Sequence, residues 1–245
     1  SYVSPEEFQS MVQDTIIAHM ADQCADPVFF NNFVLMLQND AALIETYKHL
    51  DENMDLNEMV QVIHDVFTAN NDQMDIKLRG ESCEIKMGDF VLSIKPLTNL
   101  SSDERSKVVE FLKSLNEDQK TRFVTIQDYV GTNTDFLKML TNENAIELVE
   151  IWYDVFVICF DEHLATIPRA DIIKLRDQEI PIEVLRKFTK EQRLNIIFTL
   201  KNFTQRQSEN FNKLIESKNE PEKFYKIFTI EDEDKEKLLG ELENQ

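Results

Sequence analysis

The residues able to do chemistry are few and scattered. The histidines His19, His49, His64 and His163 never form H-x-x-x-H or H-E-x-x-H, the spacings that put two imidazoles on one helical face to share a metal. His64-Asp65 and Glu162-His163 are adjacent pairs, and neighbours on a helix point to different faces. Cys159 and His163 stand four apart, so a helix could bring thiolate and imidazole together as a nucleophilic pair. Cys159 lies in Val155-Phe156-Val157-Ile158-Cys159-Phe160, where burial raises a thiol pKa and makes it inert. Asp51, Asn53 and Asp55 open like an EF-hand calcium loop. The sixth position is Leu56 where a sharp turn needs Gly, and the twelfth is Val62 where a bidentate Glu is required. There is no G-x-S-x-G. The four glycines, Gly80, Gly88, Gly131 and Gly240, are too dispersed for a dinucleotide fingerprint or a P-loop. Carboxylates are so abundant that paired ones carry no signal for glycosidase chemistry. The expectation is a protein with no catalytic residues, no cofactor and no metal.

The elements that would position these groups are mostly helices. Ser4 with Pro5 and Glu7 reads as a capping box opening a helix with Phe8, Met11, Val12, Thr15, Ile16 and Met20 on one face. Three further helices follow, the last capped by Asp55 and striped by Leu56, Met59, Val60, Ile63 and Phe67. From Met74 the period becomes two. Met74, Ile76 and Leu78, then Cys83, Ile85 and Met87, then Phe90, Leu92 and Ile94 alternate with polar neighbours. With Gly88-Asp89 as a two-residue turn, this predicts a three-stranded antiparallel meander that ends at Pro96. Helices resume at the boxes Ser101-x-x-Glu104, Asn116-x-x-Gln119 and Thr141-x-x-Asn144. The last opens an apolar helix carrying Trp152. Pro168 and Pro181 bracket a short helix, Thr189-x-x-Gln192 caps one long helix reaching Ile215, and residues 231–236 read as a charged, solvated tail. No internal repeat is evident. The predicted fold is mainly α. An acidic helical subdomain (1–72) is followed by a β meander (73–99), a larger helical domain (100–230) and an acidic tail (231–245).

Charge narrows the function classes. The 245 residues carry a formal charge of −20 and a pI near 4.6, which disfavours binding nucleic acid phosphates or an anionic membrane. Residues 1–72 hold 13 acids and one base, Lys48, and residues 216–245 hold ten acids and five bases; the middle is nearly balanced. Cys24, Cys83 and Cys159 form no paired spacing, so the expected compartment is the reducing cytoplasm. No stretch has a basic n-region followed by an apolar run, and the longest apolar run is far short of a membrane span.

One stretch resembles a known family. The hairpin Cys83-Glu-Ile-Lys-Met-Gly-Asp-Phe-Val-Leu-Ser-Ile-Lys-Pro-Leu-Thr98 leads into Ser102-Asp-Glu-Arg-Ser-Lys107, and a later phrase runs Ile182-Glu-Val-Leu-Arg-Lys-Phe-Thr-Lys-Glu-Gln192. This order is similar to that of the baseplate-hub and tail-assembly proteins of T-even-type tailed bacteriophages, over about residues 74–215. The chain lacks the cysteine cluster some members carry, so no metal role transfers. The resemblance implies a non-enzymatic assembly factor or structural component acting through protein contacts in the host cytoplasm or the virion, with self-association compatible. The residues expected to touch partners are Lys77, Arg79, Lys86 and Lys95 on the hairpin and the closing Pro96-Leu97. The alternative is an acidic inhibitor that mimics DNA and occupies a basic enzyme cleft through Glu6, Glu7, Asp51, Glu52, Asp55 and Glu58.

Overall fold

A computed structural model describes residues 56–71, 73–130, 133–159, 165–169 and 171–244, together with Ser4 and isolated positions between 6 and 49. The protein is mainly α. The helices are α1 (Leu56–Asn70), α2 (Ile94–Thr98), α3 (Ser102–Ser114), α4 (Glu117–Val130), α5 (Thr134–Met139) and α6 (Ala145–Cys159). After the second sheet come α7 (Ile182–Leu185), α8 (Lys190–Lys201), α9 (Gln205–Lys218), α10 (Pro221–Ile227) and α11 (Glu233–Asn244). Strands β1 (Ile76–Arg79), β2 (Glu84–Met87) and β3 (Phe90–Ser93) form one antiparallel meander. Strands β4 (Ala165–Arg169), β5 (Ile172–Leu175) and β6 (Gln178–Pro181) form another. The chain divides into two compact units, 1–120 with 132–142, and 121–131 with 143–245. These units cut across the boundaries expected from charge and period.

Four of the five expected capping boxes form. Reciprocal side-chain and backbone bonds close the boxes at Ser101/Glu104 and Thr189/Gln192. The same exchange joins Asn116 to Gln119 and Ser4 to Glu7. Each satisfies orphan amides of a helix start. Backbone is helical at Glu6, Glu7, Ser10, Met11, Asp14, Thr15, Ile17 and Ala18. Glu45, Thr46 and His49 are helical too, and α1 is the fourth expected helix; the other residues of the expected N-terminal bundle, including the Asp51–Asp55 stretch, lie outside the described residues.

In the first unit, α1 packs along α3 and against α2, and α2 packs on β3. Val62, Ile63, Val66, Ile85, Met87, Leu92, Ile94, Leu97, Val108 and Leu112 are fully buried there. In the second unit, α6 and α8 enclose the equivalent core of Ile151, Trp152, Val155, Phe156, Ile173, Ile180, Leu185, Ile196 and Ile197. Phe203, Phe211, Tyr225 and Phe228 extend it as an edge-to-face cluster with centroids 5.4–5.7 Å apart.

Four expectations are corrected. Residues 168–181 are not a short helix but the second meander. Pro168 sits in edge strand β4 at a register shift, and Pro181 ends β6, which are the sheet positions that tolerate a missing N–H. The expected long helix after Thr189 is two. The chain breaks at Asn202, and Thr204 starts α9 with its own box to Gln207. The helix containing Trp152 begins at Ala145, while Thr141 donates its hydroxyl to the Lys138 carbonyl. The charged tail is helix α11, whose Leu238 and Leu242 are buried. Asn210 holds it by donating to the Leu242 carbonyl at 2.6 Å.

A fifth correction reaches further, because the chain does contain an internal repeat. Helix, three-stranded meander, four- or five-residue helix and capped helix follow one another twice, α1-β1-β2-β3-α2-α3 and α6-β4-β5-β6-α7-α8. Residues 85–123 align with 173–211 without a gap and share ten identities, among them Lys86/Lys174, Asp89/Asp177, Leu97/Leu185 and Arg105/Arg193. One residue earlier in register, Asp65-Val66-Phe67 on α1 matches Asp154-Val155-Phe156 on α6. Backbone details repeat as well. Ile94 N–H donates to the Cys83 carbonyl and Ile182 N–H to that of Asp171, both at 2.9 Å. Gly88 (φ +59°) and Arg176 (φ +52°) open the two equivalent hairpin turns.

Candidate functional site

The expected contact residues divide between surface and core. Lys77 and Arg79 are exposed on the outer face of β1, and Lys86 lies directly across from Lys77. Arg79 approaches the Glu84 carboxylate at 3.8 Å. Lys95 is exposed at the start of α2 and Pro96 is half-buried. Leu97 is fully buried. It belongs to the core of the first unit and offers a partner nothing, because α2 packs against α1, β3 and α5. The hairpin thus presents a cationic face of Lys77, Arg79 and Lys86 on a strongly acidic chain.

Other candidates carry little. The Cys159 side chain and His163 lie outside the described residues, as do Cys24 and His19. Cys83 is a free thiol donating to the Thr46 carbonyl at 3.7 Å. Burial pushes its pKa up and the Glu84 charge adds to that, so it is a poor nucleophile. Among the described residues no group of His, Cys, Asp and Glu could hold a metal ion. None of the helices described is long and apolar enough to cross a membrane.

The repeat reveals a polar node that composition hides. In the first unit the Asp65 carboxylate is only 7% exposed. It accepts from Arg105 Nη1 at 2.7 Å and Gln61 Nε2 at 2.9 Å, with His64 Nδ1 at 3.3 Å. Arg105 also donates its Nε–H to the Leu97 carbonyl at 2.8 Å. Burial raises the Asp65 pKa, but bonds from His64, Arg105, Ser102 and Gln61 outweigh it and hold the carboxyl at about 2. The node clamps α1 to α3.

In the second unit the Asp/Arg pair recurs with different company. Arg193 donates Nη1 to the Phe188 carbonyl at 2.8 Å and Nη2 to buried Asp154 at 3.3 Å. At the places of Gln61, His64 and Ser102 stand Glu150, Tyr153 and Lys190. Arg122 from α4 bridges to Glu150 at 3.3 Å and lies 5.8 Å from the Tyr153 ring centroid, within cation–π range. Lys190 reaches Asp154 only at 3.8 Å. These six residues line a pocket of about 250 Å³. Sequence reasoning singled out none of them. The available signal was the Asp-Val-Phe tripeptide occurring twice, followed by Arg 40 residues on in one copy and 39 in the other.

Among the described residues the second unit exposes three large apolar side chains, Ile146 on α6 (41%), Phe198 on α8 (59%) and Ile230 between α10 and α11 (58%), of which Phe198 and Ile230 stand out. Asn195, one turn before Phe198, donates to the Thr229 carbonyl at 2.7 Å, which ties both to one corner. Exposed Glu191, Glu231 and Asp232 lie near them in sequence. The first repeat has Glu110 in the place of Phe198. Comparison with known protein families, with curated proteins and with solved structures finds no match for this chain.

Proposed function

We propose that this protein is a non-enzymatic assembly component built from two diverged copies of one meander-and-helix module. The carrying observation is the Phe198/Ile230 corner, where two large apolar side chains stand more than half exposed. Burying such a pair against a partner contributes about 1.5–3 kcal/mol for each side chain. The neighbouring Glu191, Glu231 and Asp232 favour a partner segment with an apolar anchor and basic flanks. The cationic sheet face of Lys77, Arg79 and Lys86 is the second contact surface in this reading. The baseplate-hub resemblance of residues 74–215 points to phage tail assembly as the process, in the host cytoplasm or the virion.

The test is a tagged capture from native cells at low and high salt, read by mass spectrometry, with wild type and with Phe198→Asp/Ile230→Asp. Both positions are exposed, so the double variant should melt like wild type. Wild type should retain tail or baseplate proteins at high salt, and the double variant should lose them. Retention by the variant overturns the proposal. So does capture of only a nucleic-acid-processing enzyme that high salt removes, which is the behaviour of an acidic inhibitor.

A further inference from the structure

We infer that the pocket of Arg122, Glu150, Tyr153, Asp154, Lys190 and Arg193 binds a small oxyanion, a phosphate or carboxylate group. Three cations and two carboxylates converge there, leaving one positive charge on a chain of −20. Each carboxylate is already engaged by a guanidinium, Glu150 by Arg122 and Asp154 by Arg193. Donors remain in excess. Lys190 is 65% exposed with its nearest acid at 3.8 Å, and Arg193 keeps a buried Nε–H without an acceptor among the described residues. Buried donors are almost always satisfied, by an ion or water where not by protein.

The repeat supplies an internal control for the same backbone position. In the first unit Gln61, His64, Ser102 and Arg105 all turn onto Asp65, so one carboxylate gathers the polar groups. The first turn of α3 there is Ser102-Asp103-Glu104, with acids where a helix start favours them. The first turn of α8 replaces Ser102 with Lys190 and Glu104 with Gln192. Both differences move the positive end of the helix one charge further positive, against the macrodipole. Lys190 and Arg193 on that turn are unfavourable for the empty helix and favourable once an anion sits beside them. A metal cation is disfavoured by the same three positive groups.

The probes are inorganic phosphate and acetate, each titrated at constant ionic strength. Binding is followed by isothermal calorimetry and by the thermal midpoint of Trp152 fluorescence, the chain's single tryptophan. The informative variant restores the first repeat's residues, Lys190→Ser/Gln192→Glu; Lys187→Gln, whose lysine pairs with Glu222 outside the pocket, is the control. Wild type and K187Q should bind with a saturable midpoint rise. The double variant should start from a higher ligand-free midpoint and bind at least fivefold more weakly. Phosphate alone binding identifies a free phosphate or phosphomonoester as the source. Equal binding of acetate identifies a carboxylate. No saturable binding of either up to about 10 mM, ten times a Kd of about 1 mM, overturns the inference, and so does a double variant that titrates like wild type.

Discussion

Replacing Asp65 by Asn keeps the shape of the residue and removes its charge from a node that is buried on every side. The cost follows from the structure in two ways. The Asp65 carboxyl titrates at about 2 instead of its ordinary 3.8, and at about 1.4 kcal/mol per pH unit this holds roughly 2 kcal/mol of stability at neutral pH. Loss of the charge also leaves Arg105, 8% exposed, without its 2.7 Å counter-ion, and breaking one side of a buried pair costs about 3–5 kcal/mol. Asn retains an oxygen for Gln61 or Arg105, so the expected loss is about 2–4 kcal/mol. Urea unfolding by far-UV circular dichroism reads it, with hydrogen exchange locating the loss in α1 and α3. The pH dependence has a definite sign. The folded-state pKa is depressed, so the stabilisation is complete above 3.8 and disappears as pH falls through about 2. The gap between wild type and Asp65→Asn should therefore close between about pH 5 and pH 1. A gap that stays constant across that range, or a loss below about 1 kcal/mol at pH 7, would refute the clamp, since surface substitutions alone stay within about 0.5.

The equivalent Asp154→Asn should cost about half as much, because its Arg193 contact is 3.3 Å and fewer groups converge on it; equal losses in matched urea melts would contradict the difference between the nodes. Replacing the first pair together, Asp65→Leu/Arg105→Met, should return stability to within about 1 kcal/mol of wild type, since an apolar pair avoids the desolvation of both ions; a double variant as unstable as Asp65→Asn counts against this. Leu97→Ala should lose about 2–5 kcal/mol in thermal denaturation, as a fully buried leucine does, whereas a contact residue would show lost binding with unchanged melting. Gly88→Ala should cost about 1–2 kcal/mol, because φ is +59° and a Cβ would meet Met74 Sδ at 3.2 Å; unaltered stability would show that the turn rearranges.

How far the sequence speaks depends on whether a signal is local. The capping boxes at Ser101 and Thr189 are legible because four consecutive residues contain the whole interaction. The first meander is legible because Lys77, Arg79 and Lys86 alternate cleanly with Ile76, Leu78 and Ile85. The second meander is not, because Ile172 and Ile173 are adjacent apolar residues and both face protein. Its two prolines mimic helix brackets while occupying an edge-strand irregularity and a strand end. The Phe198/Ile230 corner and the six-residue pocket join segments about 30–70 residues apart, and no period connects them.

The repeat escapes a reading by motif for a reason that bears on function. Much of what the two copies share is dictated by packing, Ile85/Ile173, Ile94/Ile182, Leu97/Leu185, Leu112/Leu200 and the Asp–Arg clamp, although the exposed Lys86/Lys174 and Asp89/Asp177 are shared too. Inward positions are constrained because a core tolerates little change in volume, and the clamp is constrained because half a buried ion pair is worse than none. What differs lies around the clamp and on the outer face of α8. Gln61, His64 and Ser102 give way to Glu150, Tyr153 and Lys190, and Glu110 to Phe198. Packing does not demand those differences, since the first copy folds the same elements with its polar groups gathered on one carboxylate and a charged helix face. Lys190 at the start of α8 runs against the helix dipole, and Phe198 leaves a large apolar side chain in water. Their presence on one copy alone is the physical ground on which anion binding and the Phe198/Ile230 contact are proposed for the second unit, beside the cationic sheet face proposed for the first.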